Sequence, residues 1–126
     1  GSKALILENS KRLSVKPKFI LEEDIFNILN TRNLNSFEKP NRIVIGGCDK
    51  KTKLQIINTL SQVMSIGDII VIPIIDIQTI KELKKELENK NFKTNLNLIQ
   101  TYKSLSIAEG IRLEPNNPVF LLKGKK

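Results

Sequence analysis

The residues best suited to chemistry are two adjacent glycines, Gly46 and Gly47, which follow a β-branched run and precede a helical pattern. The run of Ile and Val predicts a strand buried on both faces, as in a parallel sheet covered by helices. Glycines at the end of such a strand let a ligand approach closely, and ligands of open α/β sheets bind outside the carboxyl ends of strands. The glycine pair is therefore a candidate wall of a site. The alternative is a tight strand-to-helix turn without a ligand.

A second candidate is the acidic run Glu22-Glu23-Asp24, which follows Phe19-Ile20-Leu21, a predicted short strand. Asp24 is a suitable N-cap for a helix that begins at Ile25, because its carboxylate can accept hydrogen bonds from free backbone N–H groups. The run is therefore either a solvated capping turn or a group of hydrogen-bond acceptors for a ligand.

The composition is that of an ordinary soluble protein, and its 126 residues suffice for one domain, 1–126, with a single core. The net charge of +8 and the isoelectric point near 9.7 favour anionic partners such as phosphates, polycarboxylates or nucleic acid. Lys, Asn and Ile are abundant together, however, so compositional drift is an equally simple explanation.

Several classes of site are excluded by residue counts. The single cysteine, Cys48, provides neither a disulfide framework nor a cysteine-built zinc site, and the absence of histidine removes the usual triad base and the commonest metal ligand. The longest apolar run, Ile69 to Ile75, is far shorter than the roughly 20 residues of a membrane span. We expect no metal and no membrane, and a reducing, cytoplasmic location.

Hydrophobic periodicity predicts helices that alternate with single strands, followed by two consecutive strands. This order predicts parallel crossovers and then an antiparallel pair. Asp49 and Asp76 are predicted helix caps, Pro73 marks an edge or a bulge, and Gly124 ends the last strand. The predicted helices are Ala4–Leu13, Ile25–Leu29, Lys51–Met64 and Ile77–Asn89. The last of these helices is predicted to face inward with Ile77, Ile80, Leu83 and Leu87. The later strands are predicted at Ile69–Ile75, Phe92–Tyr102 and Val119–Leu122, with a loop at Ser104–Leu113.

Five segments, in order along the chain, resemble the C15-methylating, decarboxylating domain of the precorrin-6Y C5,15-methyltransferases, which has a class I S-adenosylmethionine methyltransferase fold. The glycine-paired strand and the Asn-Pro-Val-Phe segment together carry most of the resemblance. The matching segments are Ala4–Leu13, Glu22–Ile25, Ile43–Gly47, Ser65–Val71 and Asn117–Phe120.

The resemblance implies a mostly parallel, partial Rossmann-like sheet with a C-terminal antiparallel hairpin. The first two strands of the family and its glycine-rich cofactor loop have no counterpart here, since a helix pattern begins directly after Gly1. We therefore expect an N-terminally truncated domain that binds S-adenosylmethionine weakly or not at all by itself. The implied activity is methylation and decarboxylation of a precorrin in cobalamin biosynthesis.

Site residues follow from the same resemblance. The cofactor would contact Asp24, which suits the adenine amino group, with Glu23 and Ile25 on either side, and Gly46 near the transferred methyl group. The substrate-binding candidates are Gly47, Lys50, Lys103 and Arg112. Methyl transfer from a sulfonium depends mainly on alignment, so no catalytic acid or base is assigned.

Two other functional classes remain open. A basic module that binds nucleic acid or another polyanion agrees with the charge, but only 5% of the residues are aromatic and no RNA-binding motif is present, so nucleic acid is disfavoured. A scaffold or oligomerisation unit is the third class. The exposed strand edges of a truncated sheet would favour a homo-oligomer.

Overall fold

The computed structural model describes residues 2–29 and 38–126, which belong to two compact units, Gly1–Leu34 and Asn35–Lys126. Within these described residues, the first unit has two helices and the second has two helices and six strands. In chain order the elements are α1 (Ser2–Leu13), α2 (Ile25–Leu29), β1 (Arg42–Val44), α3 (Lys50–Val63), β2 (Ile69–Ile74), α4 (Ile77–Asn89), β3 (Lys93–Ile99), β4 (Tyr102–Ile107), β5 (Gly110–Pro115) and β6 (Val119–Lys125).

In the first unit, α1 and α2 form where the sequence predicts them. Asp24 caps α2, because its Oδ1 accepts a hydrogen bond from the Phe26 N–H at 2.8 Å. The predicted strand at Phe19–Leu21 is wrong: residues 14–24 contain no helix or strand. A strand requires a hydrogen-bonded neighbour, and no described residue pairs with this segment.

The second unit is built on a four-stranded sheet with the order β1-β2-β6-β3. β1 and β2 are parallel, whereas β6 is antiparallel to both β2 and β3. β1, β2 and β3 therefore run in one direction, with β6 reversed between two of them. The sheet confirms the predicted fold class of a mostly parallel sheet that ends in an antiparallel pair.

One face of this sheet carries the core of the unit. Ile70, Ile72 and Leu122 lie on it at 0–1% exposure, and Leu83 and Leu87 of α4 are fully buried against it. α3 packs against α4, and its Ile57 and Leu60 are also buried. The inward face predicted for α4 is confirmed except at Ile77, which is 70% exposed because it is the first residue of the helix, at the end of the sheet.

The opposite face is only partly covered, so the expectation of a β1 strand buried on both faces is wrong. Val44 is 72% exposed, and β2 alternates between buried and half-buried residues. The physical reason is that α3 and α4, the helices described in this unit, lie on the same side of the sheet. We call this second surface the open face.

Pro73 and Gly124 occupy positions in the sheet that differ from the predicted ones. Pro73 lies in β2, an interior strand, but β1 pairs only as far as Val71, so the missing N–H leaves no gap in the ladder. Gly124 lies inside β6 rather than ending it. A Cβ at this position would lie 3.0 Å from Ile70 Cγ2 and 3.3 Å from Leu87 Cδ1, so close packing favours the glycine.

The predicted loop at Ser104–Leu113 is instead a two-stranded antiparallel ribbon formed by β4 and β5. Its strands alternate in polarity, and Ala108 and Glu109 connect them. Because the ribbon is inserted between β3 and β6, it leaves the sheet at the edge where β3 ends. The carboxyl ends of β1 and β2 lie at that same edge.

Candidate functional site

A cleft of about 500 Å³ lies at the carboxyl edge of the four-stranded sheet. Its walls come from the end of β1 and the first turn of α3, from the end of β2 and the first turn of α4, and from the start of β6. These are the positions where an open α/β sheet binds its ligands. The lining residues are Gly47, Cys48, Asp49, Lys50, Lys53, Pro73, Ile74, Ile75, Asp76, Thr79 and Val119.

The two glycines differ in what the backbone requires of them. Gly47 has a φ of +62°, a left-handed conformation that side chains disfavour, so the turn into α3 explains this glycine. Gly46 has no positive φ, and a Cβ built on either residue would meet no atom within 4 Å. Neither turn geometry nor packing requires a glycine at position 46, and the space in front of it is open.

Two aspartates on the cleft wall are held by the helices that they cap. Asp49 Oδ1 accepts a hydrogen bond from the Thr52 N–H at 2.7 Å, which is the main reason that the pKa of Asp49 is lowered. Asp76 accepts from the Thr79 hydroxyl at 2.5 Å and from the Gln78 N–H at 3.0 Å, and these bonds lower its pKa. Both carboxylates are therefore ionised at neutral pH and serve as helix caps.

Of the three predicted substrate-binding cations, the structure places one in the cleft wall. Lys50 lies on the first turn of α3, and its Nζ is 2.7 Å from Glu82 Oε1. Lys103 and Arg112 lie on the β4–β5 ribbon, where both side chains contact Glu114, at 2.9 Å and 3.9 Å. They share the edge of the sheet with the cleft but do not line it.

The other predicted cofactor residues belong to the first unit. Glu23, Asp24 and Ile25 are exposed at the start of α2. Asp24 uses its Oδ1 in the cap, so its second carboxylate oxygen has no hydrogen bond within the described residues. The capping interpretation of this acidic run is confirmed, and its role toward a ligand stays a prediction.

Sequence patterns did not reveal several cleft residues, among them Ile75, Thr79 and Val119. Ile75 is 77% exposed at the end of β2, and Lys53 donates a hydrogen bond to the carbonyl of Cys48, a free and half-buried cysteine. The available signal was positional: Ile75 lies just beyond β2, Thr79 lies on the first turn of α4, and Val119 is the first residue of β6.

Two negative findings apply to residues 2–29 and 38–126. No group of three or more His, Cys, Asp or Glu side chains in this part of the chain is arranged to hold a metal ion. Likewise, none of its helices has both the length and the apolar character needed to cross a membrane.

Comparison with known proteins finds similarity in structure but not in sequence. No protein-family model and no curated protein sequence matches this chain. The precorrin-6Y C5,15-methyltransferase of Geobacter metallireducens GS-15 is similar, with a TM-score of 0.74 and 20% identity, over 96% of this chain and 61% of that one. The precorrin-8W decarboxylase of Methanobacterium thermoautotrophicum is similar, with a TM-score of 0.76 and 18% identity, over 94% of this chain and 61% of that one.

These comparisons agree with the resemblance found in the sequence, at the level of fold. The chain spans 61% of the length of both solved structures, and neither is a nucleic-acid-binding module by its description, so the alternative function gains no support. The chain has the mixed α/β fold of the precorrin methyltransferase and decarboxylase structures, with its cleft at the carboxyl edge of the sheet.

Proposed function

We propose that this chain is part of an S-adenosylmethionine-dependent enzyme that methylates and decarboxylates a precorrin in cobalamin biosynthesis. The observation that carries the proposal is the open space in front of Gly46, at the carboxyl end of β1, in a fold shared with two precorrin enzymes. A glycine that neither turn geometry nor packing explains is typical of a position where another molecule approaches the backbone.

The described residues suit only part of the cofactor. Asp24 offers a carboxylate oxygen to an exocyclic amine, and Gly46 leaves room near the end of β1. The sequence has no Gly-x-Gly loop to hold the methionine end. We therefore propose that binding requires a longer protein that also contains the first two strands of the fold, and we derive no chemical step from the present residues.

Residues in the cleft would act on the substrate by position and charge. S-adenosylmethionine, when bound, supplies an electrophilic methyl group, whose transfer requires alignment rather than a strong base. Gly47 allows close approach, and Lys50 can exchange Glu82 for a substrate carboxylate, because an exposed ion pair of this kind is worth only about 0–1 kcal/mol. Lys103 and Arg112 would meet further carboxylates at the same edge.

Calorimetry with S-adenosylmethionine tests the cofactor assignment. It compares this chain with a longer protein that carries a glycine-rich first strand and a second strand upstream. We expect binding only by the longer protein. Binding by this chain alone would contradict the requirement for the upstream strands, and binding by neither would contradict the cofactor assignment itself.

Mass spectrometry of precorrin incubated with the longer protein and S-adenosylmethionine tests the reaction. The expected product has gained one methyl group and lost carbon dioxide. A Gly46→Leu variant should fold normally yet lose activity, because the new side chain fills the open space. A Gln62→Leu variant on the exposed surface of α3 is the control and should keep full activity.

We also propose that the chain self-associates in the cytoplasm through the β4–β5 ribbon. Ile111 and Leu113 on one face of the ribbon are 72% and 68% exposed, and Tyr102 on the same face is 59% exposed. A lone two-stranded ribbon is only marginally stable in water, so contact with a second ribbon would stabilise it. Sedimentation should show an oligomer that dissociates in an Ile111→Asp, Leu113→Asp variant; a monomer would contradict this proposal.

A further inference from the structure

The two lysines in the wall of the cleft have different surroundings. Lys50 and Lys53 both lie near the start of α3 and line the cleft. Lys50 is exposed, and its Nζ is 2.7 Å from Glu82 Oε1, so a carboxylate of this chain already balances its charge. Lys53 is half-buried and forms no ion pair with any residue in the described ranges 2–29 and 38–126.

The carboxylates in the same wall are engaged by the helices that they cap. Asp49 Oδ1 accepts from the Thr52 N–H at 2.7 Å, and Asp76 accepts from the N–H groups of Gln78 and Thr79 at 3.0 Å and 3.2 Å. The pKa of Asp49 is lowered chiefly by the hydrogen bonds of Thr52 and least by the charge of Lys53, so the aspartate and the lysine interact only weakly. Each aspartate is balanced mainly by the N-terminal end of its helix.

Lys53 is held in place by the backbone beside the glycine pair. Its ammonium donates a hydrogen bond to the carbonyl of Cys48, which follows Gly47 in the cleft wall. This carbonyl is neutral and leaves the positive charge in place, and the ammonium has further N–H donors for a ligand. Because the side chain is half-buried, less water competes for a charge-assisted hydrogen bond with a carboxylate.

The strand ends supply a wall of different chemistry. Pro73, Ile74 and Ile75 at the end of β2 and Val119 at the start of β6 line the cleft with apolar side chains. A cationic group near the start of α3 therefore lies across from an apolar surface. Such a cleft suits a ligand that has carboxylates attached to an apolar ring system, and it would bind that ligand in one orientation.

The charge of Lys53 indicates which kind of carboxylate it can hold. Decarboxylation breaks the bond between the carboxyl carbon and the substrate, leaves the electron pair of that bond on the substrate, and releases uncharged carbon dioxide; a proton from water then takes its place. A cation beside a carboxylate favours the anionic form and so opposes this loss. Lys53 is therefore suited to a carboxylate that the substrate keeps.

We propose that Lys53 binds a retained carboxylate of the substrate and thereby orients the substrate ring against the apolar strand ends. This inference rests on the proposed function, in which the substrate is a precorrin. Lys50 contributes less to binding than Lys53, because a substrate carboxylate must first displace Glu82.

Fluorescence titration with uroporphyrin, a soluble tetrapyrrole polycarboxylate, tests this binding without requiring turnover. The protein is the longer one used for the activity measurements, so that residues outside this chain that reach the cleft are present. The key variant is Lys53→Gln. The matched control is Lys51→Gln, which removes the same charge from an exposed residue of α3 outside the cleft lining. Circular dichroism confirms that both variants fold.

We expect Lys53→Gln to weaken uroporphyrin binding about tenfold or more, because a charge-assisted hydrogen bond is lost. Lys51→Gln should weaken it less than about twofold. A Lys53→Arg variant keeps the charge and should retain most of the affinity. Equal losses in the two Gln variants would show that only net charge matters and would overturn the proposal, as would unchanged binding by Lys53→Gln or no binding by the unsubstituted protein.

Steady-state kinetics with precorrin separates this inference from the proposed function. Lys53→Gln should raise KM about tenfold and change kcat less than about twofold, with the methylated product decarboxylated as before. An unchanged KM, or a methylated product that keeps its carboxyl group, would overturn the role of Lys53 while the proposed function stands. Uroporphyrin binding that depends on Lys53, in a protein that does not convert precorrin, would instead support the carboxylate site and contradict the proposed function.

Discussion

The two faces of the sheet are made by the same strands yet have different environments. On the covered face Ile70, Ile72 and Leu122 are 0–1% exposed beneath α3 and α4. On the open face the neighbouring residues Val71 and Leu121 are half-buried, and the row beside them carries lysines. Because side chains alternate along a strand, residues adjacent in the sequence belong to these two different environments.

The difference shows where this unit obtains its stability and where it meets other molecules. The covered face is closely packed: a Cβ at Gly124 would meet carbon atoms of Ile70, Leu87 and Phe92 at 3.0–3.3 Å. The open face retains surface that water contacts, and Pro73 and Val119 of this face line the cleft. The difference in packing between the two faces can therefore be measured by comparing how much substitutions on each face change the free energy of unfolding.

The largest difference is expected between Leu122→Ala and Leu121→Ala. Leu122 is fully buried, so its truncation should lower the free energy of unfolding by about 2–5 kcal/mol. Leu121 is half-buried on the open face, and its truncation should cost about 1 kcal/mol. Urea denaturation followed by circular dichroism measures both. Equal costs would mean that something covers the open face in solution.

Gly124→Ala tests the packing of the covered face by adding a methyl group to it. Its new methyl group would meet Ile70 at 3.0 Å and Leu87 and Phe92 at 3.3 Å, so we expect a loss of about 1–3 kcal/mol. Lys123→Ala, one residue earlier and on the open face, should change stability by less than about 0.5 kcal/mol. A neutral Gly124→Ala would show that the core of this unit relaxes more easily than its packing indicates.

The glycine pair at the edge shared by both faces gives a smaller effect. Gly47→Ala places a side chain at a φ of +62° and should cost roughly 1–2 kcal/mol. Gly46→Ala meets neither strain nor neighbours and should leave thermal stability unchanged. If Gly46→Ala is the more destabilising of the two, the inference that position 46 is reserved for a ligand fails.

The smallest effect concerns pH and the capping carboxylates on the covered side. The pKa of Asp76 is lowered chiefly by the Thr79 hydroxyl, so the stabilisation is complete above the ordinary value of 3.8 and is lost as pH falls through the lower folded-state pKa. Asp76→Asn should therefore lower the urea midpoint slightly at pH 7, where the ionised carboxylate stabilises the folded state, and reduce the fall of the midpoint below about pH 4. An unchanged acid profile would contradict the role of this carboxylate.

Local features were predictable because they depend on few neighbours. Asp24, Asp49 and Asp76 cap helices as predicted, since a cap needs only its own first turn. The inward stripe of α4 follows from periodicity, and Gly47 lines the cleft at the end of β1, whereas Gly46 beside it is not one of the lining residues.

The errors have a common origin in strand pairing. Phe19–Leu21 has the composition of a strand but no partner among the described residues, whereas residues 102–115 lack a strong turn signal yet pair as β4 and β5. Ser106 and Ile111 become neighbours only when the ribbon closes. Composition does not reveal whether such a partner is present.

The sequence by itself determined the helices, their caps and the mostly parallel sheet, because these depend on local propensity and periodicity, and the resemblance of five segments indicated the fold that the solved structures share. Only the tertiary structure decided which sheet face is packed, why Gly124 is a glycine, and that Lys93, Lys123 and Lys125 share one surface. Register across strands that are far apart in the chain fixes those neighbours, and no local pattern encodes it.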